Sequence, residues 1–401
     1  MPLKEQLFTK KHKKMEIIIL GATGSIGKST LDVIRAHPEQ FHILGIAAHS
    51  NFKELKKIAD EFNVPNIAIE DDNAYLKLRE SYENDKSKHI YGGKNGILEL
   101  ASIKADLVVA AIAGINGLMP TVQALKSSKK IALANKEALI CGGHLLKLIA
   151  LEYDAEIIPI DSEHNSAYQL IHHENHASIK KLTLTASGGA FIDMAASDMV
   201  NITPEQAVKH PNWSMGAKVS VDSATLVNKG LELIEAYYLF NLKPNQLDAV
   251  IHRSSIVHSV VDFVDGTTLM NMYNPHMIVP ISHALSLGER LELNHAHFDI
   301  LRDSHKLEFE AVDYIRFPGF KAAVDVIKTE NQSCMIAYNA ANEFAVDAFL
   351  KGKAKFTDIP KIINEVLDGF NSAHINDFDD IIELDIKIKA KCKEIVTEGV
   401  I

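Results

Sequence analysis

Two acidic residues, Asp161 and Glu163, follow the apolar run Ile157-Ile158-Pro159-Ile160. On an extended segment, residues two apart face the same side, so the two carboxylates can converge on one cation. In an open α/β sheet, chemistry sits outside the carboxyl ends of the strands, where this pair falls. Hard oxygen donors of this kind suit Mg²⁺ or Mn²⁺, although the pair also reads as two surface acids at a solvated strand end. A second group lies in Val221-Asp222-Ser223-Ala224-Thr225-Leu226-Val227-Asn228-Lys229-Gly230-Leu231-Glu232, which has the character of a capped helix. Asn228 and Glu232 are one helical turn apart and share a face. An amide, an ammonium and a carboxylate so close together can hold a phosphate on one side and a cation on the other, or simply form surface ion pairs. Ser187-Gly188-Gly189 brings small residues that let backbone amides approach an anion, or make a plain loop. His210-Pro211-Asn212-Trp213-Ser214-Met215-Gly216 carries the chain's single tryptophan between Pro and Gly. That indole belongs either to the core or to a water-excluding lid.

The turn Gly21-Ala22-Thr23-Gly24-Ser25-Ile26-Gly27-Lys28-Ser29 also admits two readings. As G-x-x-G-x-x-G after a strand, it is a dinucleotide turn whose backbone amides meet a pyrophosphate at a helix N-terminus. Read from Ala22 to Ser29, it is one substitution from a P-loop, which would make the chain a phosphotransferase with Lys28 as a phosphate ligand. The spacing of Gly21 and Gly24 favours the dinucleotide, because a P-loop requires neither in that place. The second strand ends in Ala47-Ala48-His49-Ser50-Asn51-Phe52-Lys53, without the acid that holds a ribose 2′-hydroxyl. Neutral and basic donors suit a 2′-phosphate, so NADP is expected rather than NAD.

The elements that must position these groups are legible as short apolar runs: 17–20, 43–47, 66–69, 107–111, 131–134 and 157–160. They alternate with helical stretches such as 28–36 and 53–62, the pattern of parallel strands covered on both faces. We expect an α/β, doubly wound, Rossmann-like domain over 15–160 and an α+β catalytic domain over 161–287. A linker over 288–316 and a small C-terminal α-helical domain over 317–401 complete the chain. In the second domain a strand at 181–185 leads into Ser187, and runs 256–264 and 267–273 flank Asp265-Gly266, a hairpin signal. The tail shows helices at 333–350, 359–370 and 380–397. Residues 1–14 form a basic leader without the apolar centre of a secretory signal.

The chain has 401 residues, 47% hydrophobic and 23% charged, with a formal net charge of −10. That balance argues against nucleic-acid binding through overall basicity. No apolar run approaches the roughly 20 residues of a membrane span. Cys141, Cys334 and Cys392 are too scattered for a zinc site or a disulfide framework and fit a reducing cytoplasm. Nineteen histidines include no H-E-x-x-H, and no G-x-S-x-G elbow is present. Cys141 reads as a buried structural thiol rather than a nucleophile.

Taken together, the motifs resemble the 1-deoxy-D-xylulose 5-phosphate reductoisomerase family. The resemblance rests on Gly21 to Gly27, Leu133-Ala-Asn-Lys-Glu137, Ile160-Asp-Ser-Glu-His-Asn165, Thr185-Ala-Ser-Gly-Gly-Ala190, His210 to Gly216, Val221-Asp-Ser-Ala-Thr225 and Asn228 to Glu232. Ser255-Ile-Val-His-Ser259 and Asn339-Ala-Ala-Asn-Glu343 extend it to the C-terminal region. Each motif is weak alone, and their common order carries the specificity. It implies a homodimer that rearranges 1-deoxy-D-xylulose 5-phosphate, by a retro-aldol and aldol pair, and reduces it to 2-C-methyl-D-erythritol 4-phosphate. NADPH and Mg²⁺ or Mn²⁺ would be required, in the non-mevalonate route to isoprenoid precursors. It further implies Asp161, Glu163 and Glu232 as metal ligands. Lys136 and Ser162 become substrate contacts, and Ser187, Ser223, Asn228 and Lys229 a phosphate grip. His210 to Gly216 would form a mobile lid that includes Trp213. Thr23, Gly24, Ser25, Ile26, Asn135 and Glu137 fall to the cofactor, with Met215 and Gly216 near the nicotinamide. Lys136 and His210 join the three carboxylates as candidate catalytic groups. Family members often carry Lys or Arg at the end of the second strand, where His49, Ser50 and Asn51 stand here. The 2′-phosphate would then fall to these residues, to Lys53 or to backbone amides. Two rivals remain: the P-loop phosphotransferase, and a non-catalytic NADPH-sensing protein.

Overall fold

A computed structural model describes residues 13–210, 213, 215–295, 297–303 and 306–397. Most of the basic leader therefore lies outside the described residues. Seven short strands form one parallel sheet: β1 (Met15–Leu20), β2 (Phe41–Ala48), β3 (Asn66–Ile69), β4 (His89–Gly92), β5 (Leu107–Ala110), β6 (Lys130–Leu133) and β7 (Glu156–Pro159). Their order is β4-β3-β2-β1-β5-β6-β7. Alternation divides β1 between two cores. Ile17 and Ile19 face one side with Leu31 and Ile34, while Ile18 and Leu20 face the other with Leu118 and Val122. Each such fully buried side chain contributes about 1.5–3 kcal/mol relative to exposure. The order reverses between β1 and β5, so a crevice opens where the glycine-rich turn leaves β1. Gly21 sits there at φ +96, and a Cβ on it would lie 2.5 Å from the carbonyl oxygen of Ala111. Only glycine fits that approach.

A second sheet, ordered β11-β10-β8-β9-β12, comprises β8 (Ile179–Ala186), β9 (Leu247–Ile251), β10 (Val257–Phe263), β11 (Thr268–Met272) and β12 (Glu310–Ala311). The expected hairpin is present as antiparallel β10 and β11 around Gly266, which has φ +92. The region expected as a linker donates β12, antiparallel to β9. Helix Ile278–Leu285 packs on helix Ser25–Ala36, and so docks the second region beside the glycine turn. The tail is helical, with Pro318–Lys328, Gln332–Leu350, Asp358–Asp368 and Phe378–Thr397. No described helix is long and apolar enough to cross a membrane.

Candidate active site

Strand β7 stops at Pro159, and the chain turns at once into helix Ser162–Ile171. The expectation that Asp161 and Glu163 meet along an extended strand is therefore corrected. Asp161 is the N-cap, its Oδ1 accepting from the amide of Glu163 at 3.3 Å, and Glu163 lies in the first turn. Carboxylates at a helix start complement its unpaired amides and dipole. The pair still converges, because the N-cap keeps a non-helical backbone, φ −49 and ψ 138, at the mouth of the first turn. The third carboxylate comes from helix Val227–Phe240, which begins after Leu226 at φ +56. That left-handed residue joins it sharply to helix Ala217–Ala224, so Ser223, Asn228, Lys229 and Glu232 all line one cleft. Oxygens of Asp161, Glu163 and Glu232 lie within 4.8 Å of one another, a set of hard donors that fits a divalent cation.

Two lysines neutralise this cluster. Lys136 Nζ donates to Asp161 Oδ2 at 3.1 Å, Glu232 Oε1 at 3.2 Å and Asn228 Oδ1 at 2.7 Å. Lys229 Nζ donates to Glu163 Oε1 at 2.6 Å and also to Glu232 Oε2. Burial opposes both ammonium groups, yet Asp161 and Glu232 raise the pKa of Lys136 and Glu163 and Glu232 raise that of Lys229. Burial would raise Asp161, but Lys136 and His164 hold it well below the usual carboxylate range. Burial and then Glu232 push Glu163 up to about 7, against the pull of Lys229. A cation entering below that pH must expel the proton from Glu163. Mn²⁺ affinity is thus expected to fall as pH drops below 7, approaching tenfold per unit, and to level off above it. Calorimetric titrations at pH 6 and 8, in buffers of different ionisation enthalpy, measure the proton release; a pH-independent affinity would contradict the assignment.

Behind the cluster, His164 Nε2 donates to Glu232 O at 2.9 Å, and its Nδ1 stands 3.2 Å from Glu235 Oε2 and 3.4 Å from Asp161 Oδ1. Despite burial, Glu235 and Asp161 raise it to about 9, so it braces Asp161 as an imidazolium. The hydroxyl of Ser162 donates to Glu163, and the backbone carbonyl of Ser162 accepts from Tyr273 Oη at 3.2 Å.

On the opposite wall, Ser187 Oγ lies 3.0 Å from His210 Nε2 and accepts from the amide of Gly189 at 3.2 Å. Burial depresses His210 to about 4 and His258 to about 3, so both are neutral imidazoles. His258 stacks on Tyr273 and makes a T-shaped contact with Trp213, which is half-buried. Of the expected lid, His210, Trp213, Met215 and Gly216 border the cleft; Pro211, Asn212 and Ser214 lie outside the described residues.

The cofactor residues divide. Ser25 and Ile26 line the same cleft as the carboxylates, with Thr23 and Gly24 in the turn beside them. Gly24 caps helix Ser25–Ala36 without a side-chain bond, leaving amides for a ligand. His49, Ser50 and Asn51 are exposed at the end of β2, away from that cleft. Asn51 caps helix Phe52–Glu61, and His49 Nδ1 lies 3.1 Å from Glu70 Oε2, an acid at the end of β3 that the sequence reading did not weigh. The side chain of Asn135 is consumed by backbone: Oδ1 accepts from Ala138 N at 2.8 Å, and Nδ2 donates to Gly114 O at 2.8 Å and to Ile112 O. Glu137 turns to Lys218 at 3.0 Å. Ser255 and Met277 also line the cleft and carried no individual role in the sequence reading, and Ser29, a Mg²⁺ ligand in the P-loop reading alone, lines it too. Ser255 and His258 share it although three residues apart, because Ser255 takes φ +54; alternation along a strand would separate them. Cys141 is buried, as expected.

The P-loop reading fails on placement. Lys28 is exposed and faces away from the cleft that Ser25, Ile26 and Ser29 line. Lys28→Ala is expected to leave steady-state turnover within about twofold of the parent, as surface substitutions generally do.

A dinucleotide turn at a switch point, opening onto a three-carboxylate cation site and an array of hydroxyls and ammonium groups, defines a class. It is that of cation-assisted dinucleotide enzymes acting on anionic substrates. Comparison with known proteins then narrows it. Family models described as 1-deoxy-D-xylulose 5-phosphate reductoisomerase, its C-terminal domain, and DXP reductoisomerase C-terminal domain match residues 17–143, 157–240 and 272–391. The reductoisomerase of Acinetobacter baumannii strain AYE is 40% identical over 92% of this chain and 95% of its own. That of Thermodesulfovibrio yellowstonii is 41% identical over 96% of this chain and 100% of its own. A crystal structure of the reductoisomerase with NADPH, fosmidomycin and magnesium aligns at a TM-score of 0.89, with 40% identity over 96% of this chain and 98% of that one. The Zymomonas mobilis enzyme with NADPH also aligns at 0.89, with 36% identity over 96% and 99%. The chain belongs to the 1-deoxy-D-xylulose 5-phosphate reductoisomerase family.

Proposed function

We propose that this cleft rearranges 1-deoxy-D-xylulose 5-phosphate and reduces the product with NADPH to 2-C-methyl-D-erythritol 4-phosphate, with Mg²⁺ or Mn²⁺, at the entry to isoprenoid precursors. The observation that carries this reading is the convergence of Asp161, Glu163 and Glu232 in the cleft that the dinucleotide turn also lines. A cation held by these carboxylates supplies Lewis acidity toward the substrate's ketone and hydroxyl oxygens, and NADPH supplies hydride. Ser187, Ser223, Asn228 and Lys229 bind the phosphate, which anchors the substrate far from the reacting carbons. Lys136 and Ser162 orient the sugar oxygens, and Trp213 with His210 excludes water. Thr23 to Ile26 receive the pyrophosphate, Met215 and Gly216 border the nicotinamide, and His49 to Asn51 stand nearest the 2′-phosphate. The division at 15–160, 161–287, 288–316 and 317–401 belongs to the same proposal.

The deciding assay is NADPH oxidation with 1-deoxy-D-xylulose 5-phosphate, with and without Mn²⁺. Folded protein that shows no metal-dependent oxidation would sink the reading, and NADPH binding without turnover would favour the sensor. We further propose a cytoplasmic homodimer. Support comes from the three free cysteines and from edge strand β11, where Leu269 and Met270 are exposed. Light scattering is expected to give twice the chain mass of 44.3 kDa.

A further inference from the structure

Outside the cleft, a chain of polar contacts joins three helices. Lys218 Nζ lies 2.7 Å from Asp222 Oδ2 on its own helix, Ala217–Ala224, and 3.0 Å from Glu137 Oε1 at the start of helix Lys136–Glu152. Asp222 Oδ1 accepts from Asn342 Nδ2 of helix Gln332–Leu350 at 2.8 Å. Asp222 and Asn342 are fully buried, while Lys218 keeps about a quarter of its side chain exposed, at 26%. None of these groups lines the cleft, but their sequence neighbours do: Lys136 beside Glu137, Gly216 and Val219 around Lys218, and Ser223 after Asp222.

Helix Ala217–Ala224 has only two turns, and isolated helices of that length are marginal. Its position depends on what holds it. Its far end also meets the loop after Ser187 backbone to backbone. Gly189, at φ +73, lies so close that a Cβ there would be 2.5 Å from Ser223 O and 2.7 Å from Ala224 Cα. A shift of this helix therefore displaces Ser223 directly and Ser187 through Gly189.

We infer that Lys218 is a positioning residue for phosphate recognition: by drawing Glu137 and Asp222 together it fixes Ser223 and the Ser187 loop at a set distance from Lys136. The C-terminal helices enter this arrangement through Asn342. The inference rests on the reading that Ser187 and Ser223 grip the phosphate. A misplacement of about 1 Å at such a site can cost up to a hundredfold.

The test compares Lys218→Met, Asn342→Ala and Ser223→Ala in full-length protein. Expected for Lys218→Met is a rise of about tenfold in KM for 1-deoxy-D-xylulose 5-phosphate, or ~1.4 kcal/mol. For Asn342→Ala the rise is about threefold. In both, kcat should change by less than about threefold, with KM for NADPH and Mn²⁺ affinity as in the parent. A merely structural role would lower kcat and the unfolding midpoint with KM unchanged, and that result overturns the inference. Should Lys218→Met not fold, Asn342→Ala decides, and a parental KM in that variant refutes the positioning role. Ser223→Ala separates the two levels. If it too has a parental KM, the phosphate reading fails; if it alone raises KM, only the role of Lys218 fails.

Discussion

Glu232→Gln is expected to lower kcat by at least about a thousandfold at saturating Mn²⁺, a loss of ~4 kcal/mol. Glu232 is almost fully buried and is the point on which the site converges. Lys136, Lys229 and Asn228 all donate to its carboxylate, and it supplies the third hard oxygen of the cation set. Glutamine keeps the shape but removes the charge, and it can turn an amide nitrogen toward two ammonium groups. Two carboxylates then face two lysines, and little net negative charge is left for a divalent ion. Calorimetry should show Mn²⁺ binding weakened on the order of a hundredfold, and NADPH oxidation should collapse while far-ultraviolet dichroism stays unchanged. Turnover within tenfold of the parent would remove Glu232 from the metal site.

Lys229→Met is expected to act with opposite signs on two ligands. The ammonium of Lys229 lies among the carboxylates, 2.6 Å from Glu163 and in contact with Glu232. It is an internal counter-ion that competes with any incoming cation, so its removal should tighten Mn²⁺ binding several-fold. The same ammonium is assigned to the substrate phosphate, and a charge-assisted bond of that kind contributes ~2–3 kcal/mol. KM for 1-deoxy-D-xylulose 5-phosphate should accordingly rise about 30- to 160-fold. Binding titrations of Mn²⁺ beside steady-state kinetics separate the two effects. Weakening of both would mean that Lys229 supports the architecture and is not exchanged between partners.

The sequence carried most of the first sheet because β-branched and leucine runs at regular intervals have few other uses. It did not show β4, whose His-Ile-Tyr-Gly is short and half polar, nor β12, two residues recruited by pairing with β9 inside an irregular segment. Nor did it resolve helix Pro318–Lys328, which follows that segment directly. Asp161 and Glu163 were found by a strand argument although they sit at a helix start, since the N-cap residue is not yet helical and its carboxylate still meets that of Glu163. Asn228 and Glu232 needed only helical spacing, and their side chains do meet. What spacing could not give is contact between distant segments: Lys136 with Asp161 and Glu232, Lys218 with Glu137, or Glu70 beside His49. Ser255 was out of reach for another reason, as its left-handed backbone breaks the alternation from which facing is inferred.

The half-buried indole of Trp213, T-shaped against the His258 ring in the cleft wall, has an optical consequence. Because the chain holds one tryptophan, every photon of indole emission originates beside the reacting groups. Occupancy of the cleft can therefore be followed in the unlabelled protein, and overlap of that emission with dihydronicotinamide absorption makes energy transfer a ruler for the cofactor's arrival.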